Sequence, residues 1–295
     1  MNPKHNLRTF DNYAPIYFQS DPNFNSEDLK LVLPEVSTSK SLYFIKNVLT
    51  SIECQHLINS SRLHYQSLEH EFSKDEREAN RVLTNDTQFA SVLYSRIERF
   101  LSNDPKLSSL RPCGFGTSGT WIPHKINSCF RYNQYVGPSI GFVPHRDATY
   151  IEDENSRSIL TLLIYLNDDF QKGETIFLKS HNRRNKNQLV SDELENGFHE
   201  RYRFEPKTGS ILIFNHNIIH LGDEILPGDI KYLIRTDLVF KRVEKVEDYS
   251  WRTSPDFIQS VKLYREAFNQ ELDGNITAAS LLYQRALTLR QCYKD

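Results

Sequence analysis

The chain lacks any apolar run long enough to span a bilayer. Its first residues, MNPKHNLRTFDNYAPIYF, also lack the apolar core that a secretory signal needs. There is no charge excess: 36 Lys and Arg stand against 38 Asp and Glu, so no global basic field is available to hold nucleic acid or acidic lipid. Cysteine is scarce, and Cys54, Cys113, Cys129 and Cys292 lie far apart with no Cys-x-x-Cys pair. That spacing argues against a disulfide scaffold or a zinc site and predicts ordinary reduced thiols in a cytoplasmic protein. What the sequence does contain is core material: 38% of the 295 residues are hydrophobic and 12% aromatic. This suits one large domain, or one domain with an appendage.

Residues 1–39 are rich in Asn, Ser, Asp and Pro with scattered aromatics. This composition predicts an arm draped on the domain, not an independent fold. LYFIKNVLTSIECQHLINSS reads as a short strand followed by a helix. Thr50 and Glu53 have capping-box spacing there, and Ile52, Leu57 and Ile58 form an inward stripe. A second helix follows Asp86, with Phe89, Val92, Leu93, Ile97 and Phe100 at three- and four-residue steps. From about 111 to 243 the period is that of strands, broken by Gly, Pro, Asn and Asp. Within it SILTLLIYL is apolar on both faces and reads as a central strand covered on each side. A polar insertion at 180–200 interrupts the strands, and its Arg183, Arg184 and Lys186 make a candidate lid. Helices followed by many strands predict an antiparallel barrel or sandwich with helices outside. The tail, 254–292, reads as a helical hairpin broken at LDGN, with the spacing of one tetratricopeptide repeat. A single repeat cannot bury its own faces. A plain hairpin on the barrel is therefore the expectation, with its surface left as a candidate for a protein partner or self-association.

The chemistry centres on GFVPHRDATY. Residues two apart on a strand share a face, so His145 and Asp147 would present an imidazole and a carboxylate to one point, with Arg146 turned away. Nitrogen plus a hard oxygen suits Fe(II) or a similar ion, but the pair needs a third ligand from elsewhere in the fold. Four histidines follow: His181 and His199 in the polar insertion, and His216 and His220 closing the apolar GSILIFNHNIIH. A histidine closing such a strand must find a partner or line a cavity. On the next strand Lys231, Leu233 and Arg235 share a face, and two inward cations require an anion.

These pieces together resemble the Fe(II)- and 2-oxoglutarate-dependent dioxygenases, and within them the prolyl 4-hydroxylase-like catalytic domain, over residues 40–243. FRYNQYVGPSIGFVPHRD resembles the strand with the first two iron ligands. LTLLIYLNDDFQKGETIF resembles the tyrosine-bearing strand and its Gly-Glu-Thr turn. FEPKTGSILIFNHNIIHLGDEILPGDIKY resembles the stretch with the distal histidine and the basic co-substrate residue. The resemblance implies an α+β fold with a double-stranded β-helix (jelly-roll) core, flanking N-terminal helices and the C-terminal hairpin. It implies His145, Asp147 and His220 as the iron triad and Lys231 on the distal carboxylate of 2-oxoglutarate. Tyr165 would hydrogen-bond that same carboxylate, and Tyr135 would lie near the iron-bound end. Arg235 would contact either the co-substrate or an acidic substrate group. Two departures occur: Lys172 stands where the family turn usually has its first glycine, and Glu224-Ile225 precede Pro227 where a Pro-Val pair is common. The extra residue keeps both Lys231 and Arg235 as candidate carboxylate anchors.

The implied cofactors are Fe(II), 2-oxoglutarate and O2, with ascorbate as an accessory. The implied reaction hydroxylates a C–H bond, foremost of a prolyl residue in a protein or peptide, releasing succinate and CO2. Phe142, Leu163 and Phe214 would keep the cavity dry. The alternatives are a small-molecule substrate, or a non-catalytic metal-binding barrel whose tail recruits a partner. No membrane is expected, and the near-neutral charge argues against a nucleic-acid substrate.

Overall fold

The computed structural model describes residues 13–32, 42–69, 73–102, 104–180, 193–194, 198–244, 249–272 and 276–289. In chain order the N-terminal part runs β1 (Lys30–Val32), β2 (Leu42–Lys46), α1 (Ser51–Ser61), β3 (Gln66–Ser67), β4 (Asn80–Asn85), α2 (Thr87–Leu101) and α3 (Pro105–Ser108). The strand-rich part runs β5 (Trp121–Ile126), β6 (Cys129–Val136), β7 (Phe142–His145), β8 (Ser156–Tyr165), β9 (Thr175–Ser180), β10 (Glu193–Leu194), β11 (Phe198–Phe204), β12 (Ile211–Asn215), β13 (His220–Gly222) and β14 (Ile230–Arg242). Two helices close the chain, α4 (Pro255–Leu272) and α5 (Ile276–Leu289). Among the described residues no helix is long and apolar enough to cross a membrane.

The helices begin where local chemistry sets them. Thr50 accepts from the Glu53 backbone N–H while Glu53 caps the Thr50 backbone, a complete capping box. Asp86 accepts from the Phe89 N–H at 2.8 Å and starts α2. Leu57 and Ile58 are buried as expected, but Ile52 is 66% exposed, because five residues at 3.6 per turn set it about 140° around the helix from Leu57. Phe89, Leu93 and Ile97 are buried, with Val92 and Phe100 packed at the margin. Glu53 is also gripped by Arg96 through two 2.8 Å contacts, which ties α1 to α2.

All ladders are antiparallel and form two sheets. The larger has the order β1-β2-β12-β8-β14-β6-β4-β3, with β5 added on β14; the smaller is β10-β11-β9-β13-β7. This is an α+β fold with a jelly-roll core. Strand β8 lies between β12 and β14 with all ten residues buried. The reason is visible in its alternation: Leu162 and Ile164 join the core under the helices, while Leu163 and Tyr165 join the core between the sheets. The arm contributes to the first of these cores, burying Ile16, Phe18 and Leu29 and adding β1 to β2.

Two further expectations need correction. His199 sits on β11, opposite Lys179 of β9, not in a loop; the rest of the insertion, with Arg183, Arg184, Lys186 and His181, lies outside the described residues. The cysteines are not all reduced thiols. Cys54 and Cys129 are free, but Cys113 is disulfide-bonded, since spacing along the chain does not reveal which thiols the fold brings together. Cys292 lies outside the described residues. The C-terminal hairpin buries Leu263, Ala267, Ala279 and Ala286, and Tyr264 meets Tyr283 edge-on at 5.3 Å. Gln284 of α5 lines the cavity described next.

Candidate metal centre

Two strand ends carry the site. β7 pairs with β13 so that His145 and His220 stand directly opposite each other. Asp147 lies just past the end of β7, so strand alternation is not what aims it. Its backbone N–H instead donates to the His216 carbonyl at 3.2 Å, which curls the loop back over the histidines. One ligand atom from each of His145, Asp147 and His220 fits within a 4.8 Å cluster. The His145 Nε2 is 3.9 Å from Asp147 Oδ1, and the His220 Nε2 is 3.7 Å from Asp147 Oδ2.

The tautomers follow from the backbone. His145 Nδ1 donates to the Val143 carbonyl at 2.8 Å and His220 Nδ1 to the Ile218 carbonyl at 3.0 Å. Carbonyls only accept, so the proton lies on Nδ1 in both rings and the Nε2 lone pairs face each other. Burial, helped by the neighbouring His220, pushes the His145 imidazole down to about 3. Burial likewise lowers His220. For Asp147 burial works to raise the carboxyl, but Arg235 and the two histidines outweigh it and hold it well below the usual carboxylate range. Two neutral imidazoles and one carboxylate on one side of a cavity are the donor set that Fe(II) takes with positions left open. The residues fit the metal.

The ligands are held from behind. Thr161 Oγ1 donates to Asp147 Oδ2 at 2.6 Å and is itself 2.8 Å from His216 Nδ1, whose Nε2 is 2.8 Å from Ser158 Oγ. His216 is therefore a buried support, not a ligand. Phe142 stacks on the His145 ring at 3.6 Å, and Phe214 meets His220 edge-on at 4.6 Å.

The triad opens on a cavity of about 500 Å³ lined also by Tyr135, Leu163, Thr175, Lys231, Leu233 and Arg235. Lys231 is buried and donates to the Gly173 carbonyl at 2.7 Å; burial pushes its ammonium down to about 8. Its Nζ lies 5.6 Å from the Tyr135 ring centre and 5.8 Å from that of Tyr165. A buried cation among aromatics fits one end of a dicarboxylate such as 2-oxoglutarate. Tyr165 itself is fully buried, and its hydroxyl is 2.8 Å from Thr175 Oγ1. Thr175, the last residue of the Gly-Glu-Thr turn, is the one that lines the cavity. Tyr135 lines it too, accepting from Arg77 Nη2 at 3.0 Å.

Arg235 also faces the cavity, but its Nε lies 3.0 Å from Asp147 Oδ1 and its Nη2 3.3 Å from Asp237 Oδ1. Its charge is thus already faced by two protein carboxylates. Arg146 is not turned fully away: it lines the cavity edge and donates to the Asn217 carbonyl at 3.1 Å. Lys172, just before Gly173, adopts φ +58°, and its ammonium donates to Glu224. Thr161, Thr175, Arg77, Arg81, Arg131 and Asn133 carry no role in the sequence reading. Thr175 had a signal in the Gly-Glu-Thr turn, and Arg131 and Asn133 in their alternation with Tyr135 along FRYNQY.

Residues 130–236 match the family model described as the 2OG-Fe(II) oxygenase superfamily. Solved structures similar to the chain include a viral collagen prolyl hydroxylase from Paramecium Bursaria Chlorella virus-1, at 14% identity and TM-score 0.40 over 70% of this chain and 97% of that one. A Pseudomonas putida prolyl-4-hydroxylase is similar at 13% identity and TM-score 0.41, over 70% and 95%. A Trichoplax adhaerens prolyl hydroxylase, solved with a hypoxia inducible factor peptide, is similar at 15% identity and TM-score 0.43, over 70% and 86%. No curated protein sequence matches the chain.

Proposed function

We propose that this chain, whose residues 130–236 match the 2OG-Fe(II) oxygenase family model, hydroxylates a C–H bond of its substrate, foremost a prolyl residue in a protein or peptide. The observation that carries the reading is the juxtaposition of the His145–Asp147–His220 cluster with buried Lys231 in one cavity. The prolyl residue is carried over from the resemblance of the three sequence stretches.

In this reading His145 Nε2, His220 Nε2 and an Asp147 oxygen hold Fe(II). Lys231 and Thr175 bind the distal carboxylate of 2-oxoglutarate, with Tyr165 supporting Thr175 and Tyr135 near the other end. When bound, the iron and co-substrate supply the oxygen chemistry, with succinate and CO2 as co-products. The chain's own work is positional. The Nδ1–carbonyl bonds fix both imidazoles, Thr161 and Arg235 fix the carboxylate, and Phe142, Leu163 and Phe214 wall the iron from water. A cavity of about 500 Å³ falls in the range of ligand sites.

The test is an anaerobic titration of Fe(II) protein with 2-oxoglutarate, read by the weak visible charge-transfer band of the chelate, followed by a peptide screen for succinate release. The reading expects the band in the native protein and its absence in His145→Ala and Lys231→Met. Failure to form the band at saturating iron would overturn it.

A further inference from the structure

Behind Asp147 the polar atoms form a chain whose direction follows from counting donors and acceptors. Thr161 has one hydroxyl proton, and the Asp147 carboxylate takes it at 2.6 Å. Thr161 Oγ1 must then accept from His216 Nδ1 at 2.8 Å, which places a proton on that nitrogen. At the other edge of the ring His216 Nε2 lies 2.8 Å from Ser158 Oγ. Ser158 Oγ accepts the Tyr150 backbone N–H at 2.7 Å and still has its own proton to give. Among the described residues His216 Nε2 is the acceptor facing that proton. The chain therefore runs one way, from the Tyr150 backbone through Ser158, His216 and Thr161 to Asp147.

A bulge in β8 makes the chain possible. Residues three apart on a regular strand point to opposite faces, so Ser158 and Thr161 would not reach the same ring. The pairing of β8 with β14 slips at this point: Leu238 stands opposite Leu160 but Val239 opposite Ser158, and Ile159 is skipped. One extra residue reverses the alternation and turns Ser158 to the side of Thr161. His216, just past the end of β12, fits between them through its backbone as well. Its N–H donates to the Ile159 carbonyl and its own carbonyl accepts the Asp147 N–H, both at 3.2 Å. The Ser158 N–H donates to the Tyr150 carbonyl at 2.8 Å. Both ends of the stretch from Asp147 to Tyr150 are thus fastened to β8, one through each hydroxyl. Ser158, Thr161 and His216 are buried, and all three lie outside the cavity lining.

We propose that Ser158 and His216 are positioning residues for Asp147: the bulge at Ile159 and the one-way hydrogen-bond chain aim its carboxylate at the two histidines. The proposal rests on the dioxygenase reading, in which Asp147 holds the metal. A lone hydroxyl rotates, and a lone imidazole exchanges tautomers; in the chain each proton is fixed by the link before it. Removing the Ser158 hydroxyl takes away the donor that reserves His216 Nε2 as an acceptor. The ring is then no longer held to its Nδ1–H tautomer, and Thr161 is no longer obliged to give its proton to Asp147. Ser158 thereby acts on the metal ligand through two intervening side chains.

The test is a competitive Co(II) titration of the full chain, with the visible bands of the bound ion as a second readout. Ser158→Ala is expected to weaken Co(II) binding by about tenfold and to shift those bands. The double variant Ser158→Ala with Thr161→Val should bind no more weakly than Thr161→Val alone, because cutting the middle link removes the route from Ser158 to Asp147. A merely structural Ser158 would give losses that add. If Ser158→Ala folds poorly, His216→Gln replaces it: its amide reaches Ser158 but not Thr161, so it should lose affinity as Thr161→Val does. In native Zn(II)-loaded protein, nitrogen-15 spectra of the histidines should show His216 protonated on Nδ1 and bare on Nε2. Native affinity in Ser158→Ala or in His216→Gln, additive losses, or a His216 proton on Nε2 overturns the proposal. If the charge-transfer band forms with Fe(II) and 2-oxoglutarate while Ser158→Ala matches the native protein, the dioxygenase reading stands and this inference alone fails. If native protein takes up neither Co(II) nor Fe(II), the dioxygenase reading fails and this inference with it.

Discussion

Arg235 Nε stands 3.0 Å from Asp147 Oδ1, and the same guanidinium reaches Asp237 Oδ1 with Nη2 at 3.3 Å. One buried cation thereby compensates two buried carboxylates, one of them in the candidate metal centre. Replacing it by leucine leaves both without that partner. Arg235→Leu is expected to lower the unfolding free energy of metal-free protein by about 3–5 kcal/mol, with part recovered on adding Mn(II). Arg235→Lys, which keeps the charge but loses the fork, should weaken metal binding by about 10–100-fold. Denaturant titrations with and without Mn(II) check both, and unchanged midpoints would show that the pair does nothing for the site.

Lys231 sets a pH dependence. Burial depresses its free ammonium to about 8, below the ordinary lysine value. A bound dicarboxylate stabilises the charged form and raises that value, so binding takes up a proton once the free group has lost it. The affinity for 2-oxoglutarate should be flat below pH 8 and weaken by about tenfold per unit above it. Lys231→Met should bind weakly and lose this inflection. A native profile that stays flat to pH 10 assigns the carboxylate to another group.

Thr161 joins Asp147 to His216 through one hydroxyl, at 2.6 and 2.8 Å. Thr161→Val keeps the shape but removes both contacts, leaving a buried imidazole N–H and a carboxylate oxygen short of a partner. The expected cost is about 1–3 kcal/mol of stability, with metal affinity down about tenfold. Thr161→Ser should restore most of each. A Thr161→Val protein with native metal affinity would show that the hydroxyl does not orient Asp147.

Gly141 lets β7 approach β13. Its φ is +74°, and a Cβ there would meet the Gly222 carbonyl oxygen at 2.2 Å and that of Asp223 at 2.4 Å. Gly141→Ala is therefore expected to cost about 2 kcal/mol or more and to loosen the pairing that sets His145 opposite His220, so metal binding weakens with it. At Gly222 the nearest atoms to an added Cβ belong to Phe142, at 3.7 and 3.8 Å. Gly222→Ala should stay within about 1 kcal/mol of the native protein. Thermal melts of the two variants, with and without Mn(II), separate the positions.

Local signals in the chain were read correctly where the physics is local. The Thr50–Glu53 box and the Asp86 cap need only neighbours three residues away, and both form as spaced. SILTLLIYL carries apolar residues on both faces, so it had to be covered on each side, and it is. His145 and Asp147, the pair His216 and His220, and the pair Lys231 and Arg235 stand out because polar groups beside apolar strands need partners, and the resemblance to the dioxygenases is what chose among them. Other contacts depend on distant residues. Arg235 shares a strand face with Lys231 but meets Asp147 and Asp237, and the Tyr165 hydroxyl meets Thr175 before it meets the cavity.

The sequence by itself therefore determined which segments become strands and helices, and which side chains are too polar to be buried alone. Only the tertiary structure decided which of them meet. β13 set against β7 places His220 across from His145, and β4, β6 and β14 set side by side gather Arg81, Asn133, Arg131 and Arg235 on one face. Arg77 and Gln284 enter the same cavity from outside those ladders. Periodicity assigns each residue a face, because backbone geometry repeats every two or 3.6 positions. Which faces come together is a matter of strand order and register, and these depend on packing across the whole chain.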